Sequence, residues 1–319
     1  MSMSRRRVIA AASAAVLAVG GAQIAGESTA VAAESSPVGF ASLNGGTSGG
    51  SASTVVTVSS ASALQSAIGS STSQTVRVSG LISVSGMLNV ASNKTIIGVG
   101  SGSGITGGGL NLSGVRNIII RNLVFRNASD DSINVQTNTT NVWIDHNDLA
   151  NGYDGLIDIK RGSDFITVSW NRLHDHDKSM LLGHSDDNGS QDIGHLRVTY
   201  VHNWFEGTNQ RHPRVRFGNP VHVLNNYYSN IGSYGVASTE NAGVYVERNY
   251  FENVDSPTVT QTGDSAEGNL KVLNNYKVNS GTEEVRNGAS VAAIPYSYTP
   301  EANNTVKATV TAGAGTGKI

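Results

Sequence analysis

The sequence predicts an all-β fold, a right-handed parallel β-helix in which one chain winds into a single-stranded β-solenoid. Three observations support this prediction. An asparagine-centred pattern returns seven times between Asn122 and Asn275, at intervals within the range in which one supersecondary unit repeats and stacks. Short runs of β-branched residues alternate with polar ones, and helical periodicity is scarce. With 319 residues, 38% of them hydrophobic, the chain can bury one large core.

The repeat has seven copies, each with an apolar residue three positions before the asparagine. In six copies another apolar residue follows by two positions, whereas the seventh has Lys277 there. We expect each asparagine at a bend, because asparagine tolerates left-handed backbone geometry and its amide can bond to the asparagine of the next coil. A β-sandwich is the alternative, but the sequence lacks the hairpin turns that it needs between copies. The central asparagines are Asn122, Asn147, Asn171, Asn203, Asn226, Asn249 and Asn275.

Two departures from the repeat predict local features. The interval from Asn171 to Asn203 is longer than all the others, and the excess falls in residues 182–194, whose Gly, Ser, Asp and Asn content indicates a protruding loop. Residues 35–53 are rich in Gly and Ser and are predicted to be irregular. Residues 62–68 form the one plausible short helix.

Residues 1–33 have the composition of an export signal. Three arginines at positions 5–7 precede an apolar run at 8–20, and small residues end at Ala33. The start fits a twin-arginine signal as well as a Sec signal, and the apolar run is shorter than the roughly 20 residues that span a bilayer. We therefore expect a secreted protein, with residues 1–33 as the signal peptide and residues 34–319 as a single β-helix catalytic domain.

Composition excludes several classes of function. Without the signal, 19 basic and 23 acidic residues remain, a balance that provides no basic field for nucleic acid. The absence of cysteine excludes disulfides, thiolate catalysis and cysteine-bound zinc. No histidine stands at a zinc-ligand spacing with a companion glutamate. We expect a monomer with no nucleic-acid or membrane partner.

A cationic segment at residues 210–218 indicates an anionic ligand. It contains Arg211, Arg214 and Arg216 in a chain with only 14% charged residues. In an extended strand Arg214 and Arg216 face one side, and Arg211 reaches that side only if Pro213 changes the register. A solvated edge strand would also carry such charges.

The intervals between polar residues predict a column across the coils. Asp131, Asp154, Lys178 and Arg211 follow one another at the period of the repeat, the last interval being longer because it contains the loop. Because stacked strands lie about 4.8 Å apart, residues separated by one period can be close neighbours. We therefore expect these four side chains to line up on one face.

Asp158 is predicted to join the column only if the chain bends. In a straight strand it would lie about 13 Å from Asp154, and Gly155 provides the freedom for a bend. Asp131, Asp154 and Asp158 have no cationic neighbour in sequence close enough to neutralise them, and such oxygen ligands suit Ca²⁺. Separate solvated aspartates are the alternative.

These motifs resemble those of the secreted pectate lyases, the large bacterial and plant family of parallel β-helix polysaccharide lyases (family 1). Asp-Gly-Leu-Ile-Asp-Ile at 154–159 and Arg-His-Pro-Arg-Val-Arg-Phe-Gly at 211–218 carry the resemblance most specifically. It extends from about Gly39 to Gly315. The other matching segments are 39–41, 93–100, 117–123, 141–146 and 168–171.

The resemblance implies roles for six residues. Asp131, Asp154 and Asp158 would hold the primary calcium ion. Arg211 would be the catalytic base, while Lys178 and Arg216 would grip the substrate. Some members of the family have Glu where Asp154 stands, and some have a further acid where Ser129 stands.

The activity so implied is β-elimination on α-1,4-linked polygalacturonate (pectate), giving 4,5-unsaturated oligogalacturonates. A β-helix polygalacturonase would need paired acids but no catalytic arginine. A pectin lyase, acting on a neutral ester, would not need the aspartates. A non-catalytic carbohydrate-binding solenoid would explain the repeat and the signal, but not the cations beside the acids.

Overall fold

A computed structural model describes residues 34–319, and the predicted export signal at 1–33 lies outside the described residues. The described chain forms parallel strands stacked into coils, which confirms the all-β, parallel β-helix prediction. The strands are β1 (Val55–Val58), β2 (Gln74–Val78), β3 (Leu81–Asn89), β4 (Lys94–Gly98), β5 (Gly104–Ser113), β6 (Arg116–Arg121), β7 (Val124–Arg126), β8 (Ile133–Gln136), β9 (Thr140–Asp145), β10 (Asp148–Ala150), β11 (Gly155–Ile159), β12 (Asp164–Ser169), β13 (Arg172–His174), β14 (Lys178–Leu182), β15 (Val198–Val201), β16 (Trp204–Glu206), β17 (Arg214–Arg216), β18 (Val221–Leu224), β19 (Tyr227–Ile231), β20 (Val236–Thr239), β21 (Gly243–Glu247), β22 (Tyr250–Val254), β23 (Thr258–Val259), β24 (Asn269–Leu273) and β25 (Tyr276–Val278).

The coils have three faces. Face 1 is the ten-stranded sheet β1-β2-β4-β6-β9-β12-β15-β18-β21-β24. The long strand β5 pairs with β7 through Gly104–Thr106 and with β8 through Leu110–Ser113, so one further sheet covers the other two sides. Face 2 continues as β7-β10-β13-β16-β19-β22-β25, and face 3 as β8-β11-β14-β17-β20-β23.

The asparagine repeat forms a ladder through the core. From Asn147 to Asn275, each Nδ2 donates to the Oδ1 of the next asparagine at 2.9–3.0 Å. The predicted amide bonding between coils is therefore confirmed. The predicted left-handed geometry is wrong for these six, because the residue before each one takes the positive φ, as His146 (51°) and Trp170 (54°) do.

Asn122 does not occupy a ladder position. It has a φ of 57° and stands where His146 stands one coil later, while the Leu123 backbone N–H donates to Asn147 Oδ1 at 3.0 Å. Its own amide instead donates to the Gly98 and Gly100 carbonyls. Placing it in the repeat was therefore wrong by one residue.

Apolar side chains stack beside this ladder on face 2. Leu149, Leu173, Phe205, Tyr228 and Phe251 are fully buried and lie in register from coil to coil. The last three stack with ring centroids 4.9 and 4.5 Å apart. In the terminal coil Lys277 continues the column and is exposed, because no further coil covers it.

The loop and the first helix are where the sequence predicts them. The connection from β14 to β15 protrudes and contains the short helix α2 (Gly189–Asp192). The predicted helix at 62–68 is α1 (Ala61–Gly69), capped by the Ser60 hydroxyl. The irregular segment contains one 3-10 turn, Gly39–Ser42, and another such turn is Gly288–Ser290.

The expectation of a single helix is wrong. A third helix, α3 (Val306–Gly313), packs Val306 and Val310 against Tyr227 and Tyr250 on the outside of face 2. Within residues 34–319, no helix combines the length and apolarity needed to cross a membrane.

Candidate active site

Face 3 brings the predicted site residues together at one edge. Asp131 lies two residues before β8, Asp154 directly precedes β11, and Asp158 lies within β11. On the next two coils Lys178 begins β14, Arg211 precedes β17, and Arg216 ends β17.

The predicted straight column is wrong by one residue. Backbone pairing between the coils places Gly155 beside Lys178 and Lys178 beside Gln210. Asp154 therefore stands one residue before this row, and Arg211 stands one residue after it. The reason is that the paired residues are separated by one residue fewer than Asp154 and Lys178, or Lys178 and Arg211. From β8 to β11 the difference has the opposite sign, because Ile133 pairs with Ile157 across an interval one residue longer than that from Asp131 to Asp154. Lys178 still reaches its predicted neighbour, because its Nζ lies 2.9 Å from Asp154 Oδ1.

The bend that the sequence requires is present around Gly155. The chain bends at residues 153–154, and Leu156 and Ile157 are both buried in the core, which interrupts the alternation of the strand. Asp158 consequently points its carboxylate back toward Gly155. A Cβ atom on residue 155 would lie 2.2 Å from Asp158 Oδ1 and 3.0 Å from Asp131 Oδ1, so a side chain at this position would have to displace the Asp158 carboxylate.

The structure adds Asp130 to the predicted acids, and Asp158 lies outside the group whose oxygens are mutually within 4.8 Å. Carboxylate oxygens of Asp130, Asp131 and Asp154 all lie within 4.8 Å of one another, and Asp158 is close enough to Asp131 for its pKa to be raised by that charge. Sequence reasoning missed Asp130. It stands one coil before Asp154 in the observed register, a signal that becomes readable only once that register is known.

Burial dominates the electrostatics of the two inner acids. Asp131 and Asp158 are each 2% exposed. Burial raises the pKa of both carboxyls, and the mutual repulsion of the pair raises that of Asp158 further. An ionised pair in this position needs a cation.

Lys160 provides part of that positive charge. Its Nζ lies 3.3 Å from Asp131 Oδ2, and its charge lowers the pKa of Asp131, Asp158 and Asp154. Lys160 follows Asp158 by two residues, so the expectation that no nearby cationic residue neutralises the acids is wrong.

An amide oxygen beside the acids lacks a hydrogen-bond partner. Asn134 is in register with Asp158, and its Oδ1 is buried with no partner among residues 34–319. Carboxylate and amide oxygens together are the ligands of a hard divalent cation such as Ca²⁺. The residues present therefore fit such an ion, which Asp130, Asp131, Asp154 and Asp158 could hold with help from Asn134.

Arg211 stands beside the acids with part of its hydrogen-bonding capacity unused. Its backbone has a φ of 65°, in the left-handed region. Its charge lowers the pKa of Asp154 and Asp158. The Arg211 Nε is buried and has no hydrogen-bond partner within the part of the chain that the structure describes.

Arg216 is held by the protruding loop. Its Nε contacts Asp186 Oδ1, and its Nη1 donates to the Gly183 carbonyl at 2.9 Å. Asp186 also accepts a hydrogen bond of 2.8 Å from the Ser265 hydroxyl, which accepts one from Arg214 Nη2 at 2.7 Å. Sequence reasoning identified the loop but not this acid.

Comparisons with known proteins agree on one family. The family model described as "Pectate lyase" matches residues 6–319. Probable pectate lyase B from Aspergillus terreus is 39% identical over 276 residues, covering 83% of this chain and 84% of its own. A pectate trisaccharide-lyase from Bacillus licheniformis is 36% identical over 300 residues, covering 88% of this chain and 86% of its own.

Solved structures give the same result. The pectate lyase from Bacillus sp. N165, solved in complex with trigalacturonate, superimposes with a TM-score of 0.80 at 32% identity. The match covers 88% of this chain and 99% of that one.

Proposed function

The chain belongs to the pectate lyase family, and from that premise we propose that it cleaves α-1,4-linked polygalacturonate by β-elimination at face 3. It is a polysaccharide lyase. The observation that carries the site assignment is the juxtaposition of the acidic cluster with Arg211, whose Nε is buried without a partner in the described chain. A hydrolase of the same polymer would not require the arginine.

Calcium is the proposed metal of the acidic cluster. Asp131, Asp154 and Asp158 would hold it, with Asp130 as a further carboxylate beside Asp131 and Asp154. When bound, the ion withdraws electron density from the uronate carboxylate and so makes the neighbouring C5 proton more acidic. The raised pKa of the buried Asp158 is consistent with a site that gains stability from a cation.

Arg211 is the proposed base. In its neutral guanidine form it takes the proton from C5, the electron pair forms the C4–C5 double bond, and the C4–O bond breaks with its electrons leaving on oxygen. That oxygen then takes up a proton. The neutral guanidine is a minor species of any arginine side chain, so turnover is expected to increase toward alkaline pH.

Lys178 and Arg216 are the proposed substrate-gripping cations. Lys178 Nζ lies 2.9 Å from Asp154 Oδ1, at the edge of the acidic cluster and 35% exposed, so it can also reach a bound carboxylate. Arg216 has its Nε turned to Asp186. Fixed positive charge at these positions stabilises the negative charge that develops on the carboxylate during proton removal.

Export and oligomeric state complete the proposal. Residues 1–33 direct secretion by the Sec or twin-arginine route and are removed, and residues 34–319 act outside the cell as one catalytic domain. The protein works as a monomer, because one copy supplies every residue that the proposed reaction uses.

One assay tests the proposal against its alternatives. Purified protein is incubated with polygalacturonate, with and without a chelator, and the ultraviolet absorbance of the 4,5-unsaturated product is followed. We expect absorbance that chelation abolishes and calcium restores. New reducing ends without absorbance would indicate a polygalacturonase. Activity only on methylated pectin would indicate a pectin lyase, and binding without cleavage would indicate a carbohydrate-binding solenoid.

A further inference from the structure

A cavity opens on face 3 next to the proposed base. It has a volume of about 480 Å³ and is lined by residues of three successive coils, among them Gln210, Arg214, Tyr234, Gln261 and Thr262. Gln210 directly precedes Arg211, so the cavity begins beside the base and extends along the stack for about two strand spacings, or roughly 10 Å. A polymer lying along the coils and cleaved at Arg211 would pass over it.

Three side chains that line this cavity carry buried polar atoms without partners. Arg214 Nε, Tyr234 Oη and Thr262 Oγ1 form no hydrogen bond to any residue from 34 to 319. Tyr234 is 7% exposed. The backbone N–H of Arg211 lies close to this hydroxyl without forming a hydrogen bond of normal geometry. Unpartnered buried polar groups are rare in folded proteins, and three of them around one cavity are suited to bind a polar ligand.

The charge around the cavity favours an anion. Arg214 lies close to Arg211 and Arg216; burial and the charges of these two neighbours lower its pKa. Its own hydrogen bonds go to uncharged oxygens, the Ser265 hydroxyl at 2.7 Å and the Thr262 carbonyl at 3.3 Å. A guanidinium with a free Nε is suited to a carboxylate, and the two hydroxyls are suited to sugar oxygens.

We propose that Arg214, Tyr234 and Thr262 form a subsite that binds the carboxylate and a hydroxyl of a further galacturonate unit, beyond the units at the bond being cleaved. This inference rests on the proposed function. Its consequence is a dependence of the rate on substrate length, because only a chain long enough to reach the cavity can satisfy the three unpartnered atoms.

Two substitutions that each remove a single oxygen test the subsite. Tyr234→Phe deletes Oη, and Thr262→Val replaces Oγ1 by a methyl group, so both variants keep the shape of the cavity. Tyr276→Phe is the matched control, because Tyr276 lies in the last coil of face 2 and is 39% exposed. The readout is kcat/KM for purified di- to hexagalacturonate, with thermal unfolding as the check on folding.

For the wild-type protein we expect kcat/KM to increase sharply when the substrate becomes long enough to reach the cavity. Each variant should lose about three- to tenfold at that length and beyond, with the shortest cleaved substrate and the control unchanged. An equal loss at every length would overturn the subsite in favour of a positioning role toward Arg211. No loss at any length would mean that the cavity holds only water.

The same series measured as binding separates the two proposals. Calorimetric titration of each oligogalacturonate into chelator-treated protein reports on the cavity without turnover. If the affinity gain with length is present in the wild type and absent in Tyr234→Phe, while the separate assay with calcium yields no unsaturated product, the lyase assignment fails and the subsite stands. If turnover is normal but neither affinity nor kcat/KM depends on Tyr234, the subsite alone fails.

Discussion

The carboxylate of Asp158 lies against Gly155, at the position where any side chain on residue 155 would begin. A Cβ atom there would lie 2.2 Å from Asp158 Oδ1 and 3.0 Å from Asp131 Oδ1. The absence of a side chain at residue 155 leaves the space in which these two carboxylates lie.

Gly155→Ala should therefore disrupt the acidic cluster. The methyl group must displace the Asp158 carboxylate, and we expect calcium affinity to fall by about ten- to a hundredfold, as when the support of a metal ligand is lost. Calorimetry measures this. Gly102→Ala is the control, because a Cβ at residue 102 meets nothing within 4 Å. Wild-type affinity in Gly155→Ala would show that Asp158 is not part of the metal site.

Asp130→Asn tests the acid that the sequence did not identify. Its carboxylate lies within 4.8 Å of those of Asp131 and Asp154, so removing one negative charge should weaken calcium binding about tenfold or more. High calcium should restore part of the rate, as it should for Asp154→Asn and Asp158→Asn. Asp255→Asn, at an exposed position in another coil, is the control. An Asp130→Asn enzyme with unchanged calcium dependence would limit the site to the three predicted aspartates.

The buried acid should make the stability of the calcium-free protein depend on pH. Burial and the neighbouring Asp131 raise the pKa of Asp158 to about 8, whereas an unfolded aspartate has a pKa of about 4. Between these values the folded state binds a proton that the unfolded state does not, so the free energy of unfolding decreases as pH rises. We expect the Tm in chelator to fall across this window, and to fall less steeply in Asp158→Asn. Parallel curves for the two proteins would contradict this.

Lys160→Met should strengthen calcium binding. The ammonium lies 3.3 Å from Asp131 Oδ2 and repels an incoming cation, so we expect affinity to increase by about tenfold when it is removed. Titration calorimetry gives the dissociation constant. Lys271→Met makes the same charge change at a lysine that stacks on Tyr245 and should leave affinity unaltered. Weaker binding in Lys160→Met would mean that the lysine orients Asp131 and does not compete with the ion.

Arg211→Lys should be nearly inactive although it keeps its positive charge. An ammonium has a different reach and cannot present the planar guanidinium, and we expect kcat to fall about a thousandfold or more with KM little changed. Lys178→Ala should impair both parameters, because the bound uronate also feels that charge. Arg248→Lys replaces another arginine with left-handed backbone and is the control. An Arg211→Lys enzyme with a tenth of the wild-type kcat would move the base elsewhere, with Lys178 the next candidate.

The sequence determined the architecture because a solenoid repeats one structural unit, the coil, and this repeat is visible in the sequence. Each coil must bury the same kind of residue at the same place, so Asn147 to Asn275 and the apolar residues beside them recur at a readable period. The protruding loop was visible for the same reason, as the excess in one interval. The resemblance carried by residues 154–159 and 211–218 pointed to residues that the structure brings together on face 3.

Only the tertiary structure decided the register and the contacts that depend on it. Two spacings that differ by a single residue look equally regular in sequence, yet a one-residue shift moves a side chain to the other side of a strand. That is why Asn122 was placed in the ladder where Leu123 stands, and why Asp130 was missed. The partners of Lys160 and Arg216, and the cavity beside Arg214, depend on where side chains from different coils and a loop meet in space. Period fixes which coil a residue occupies, whereas bends such as that at Gly155 fix what its side chain touches.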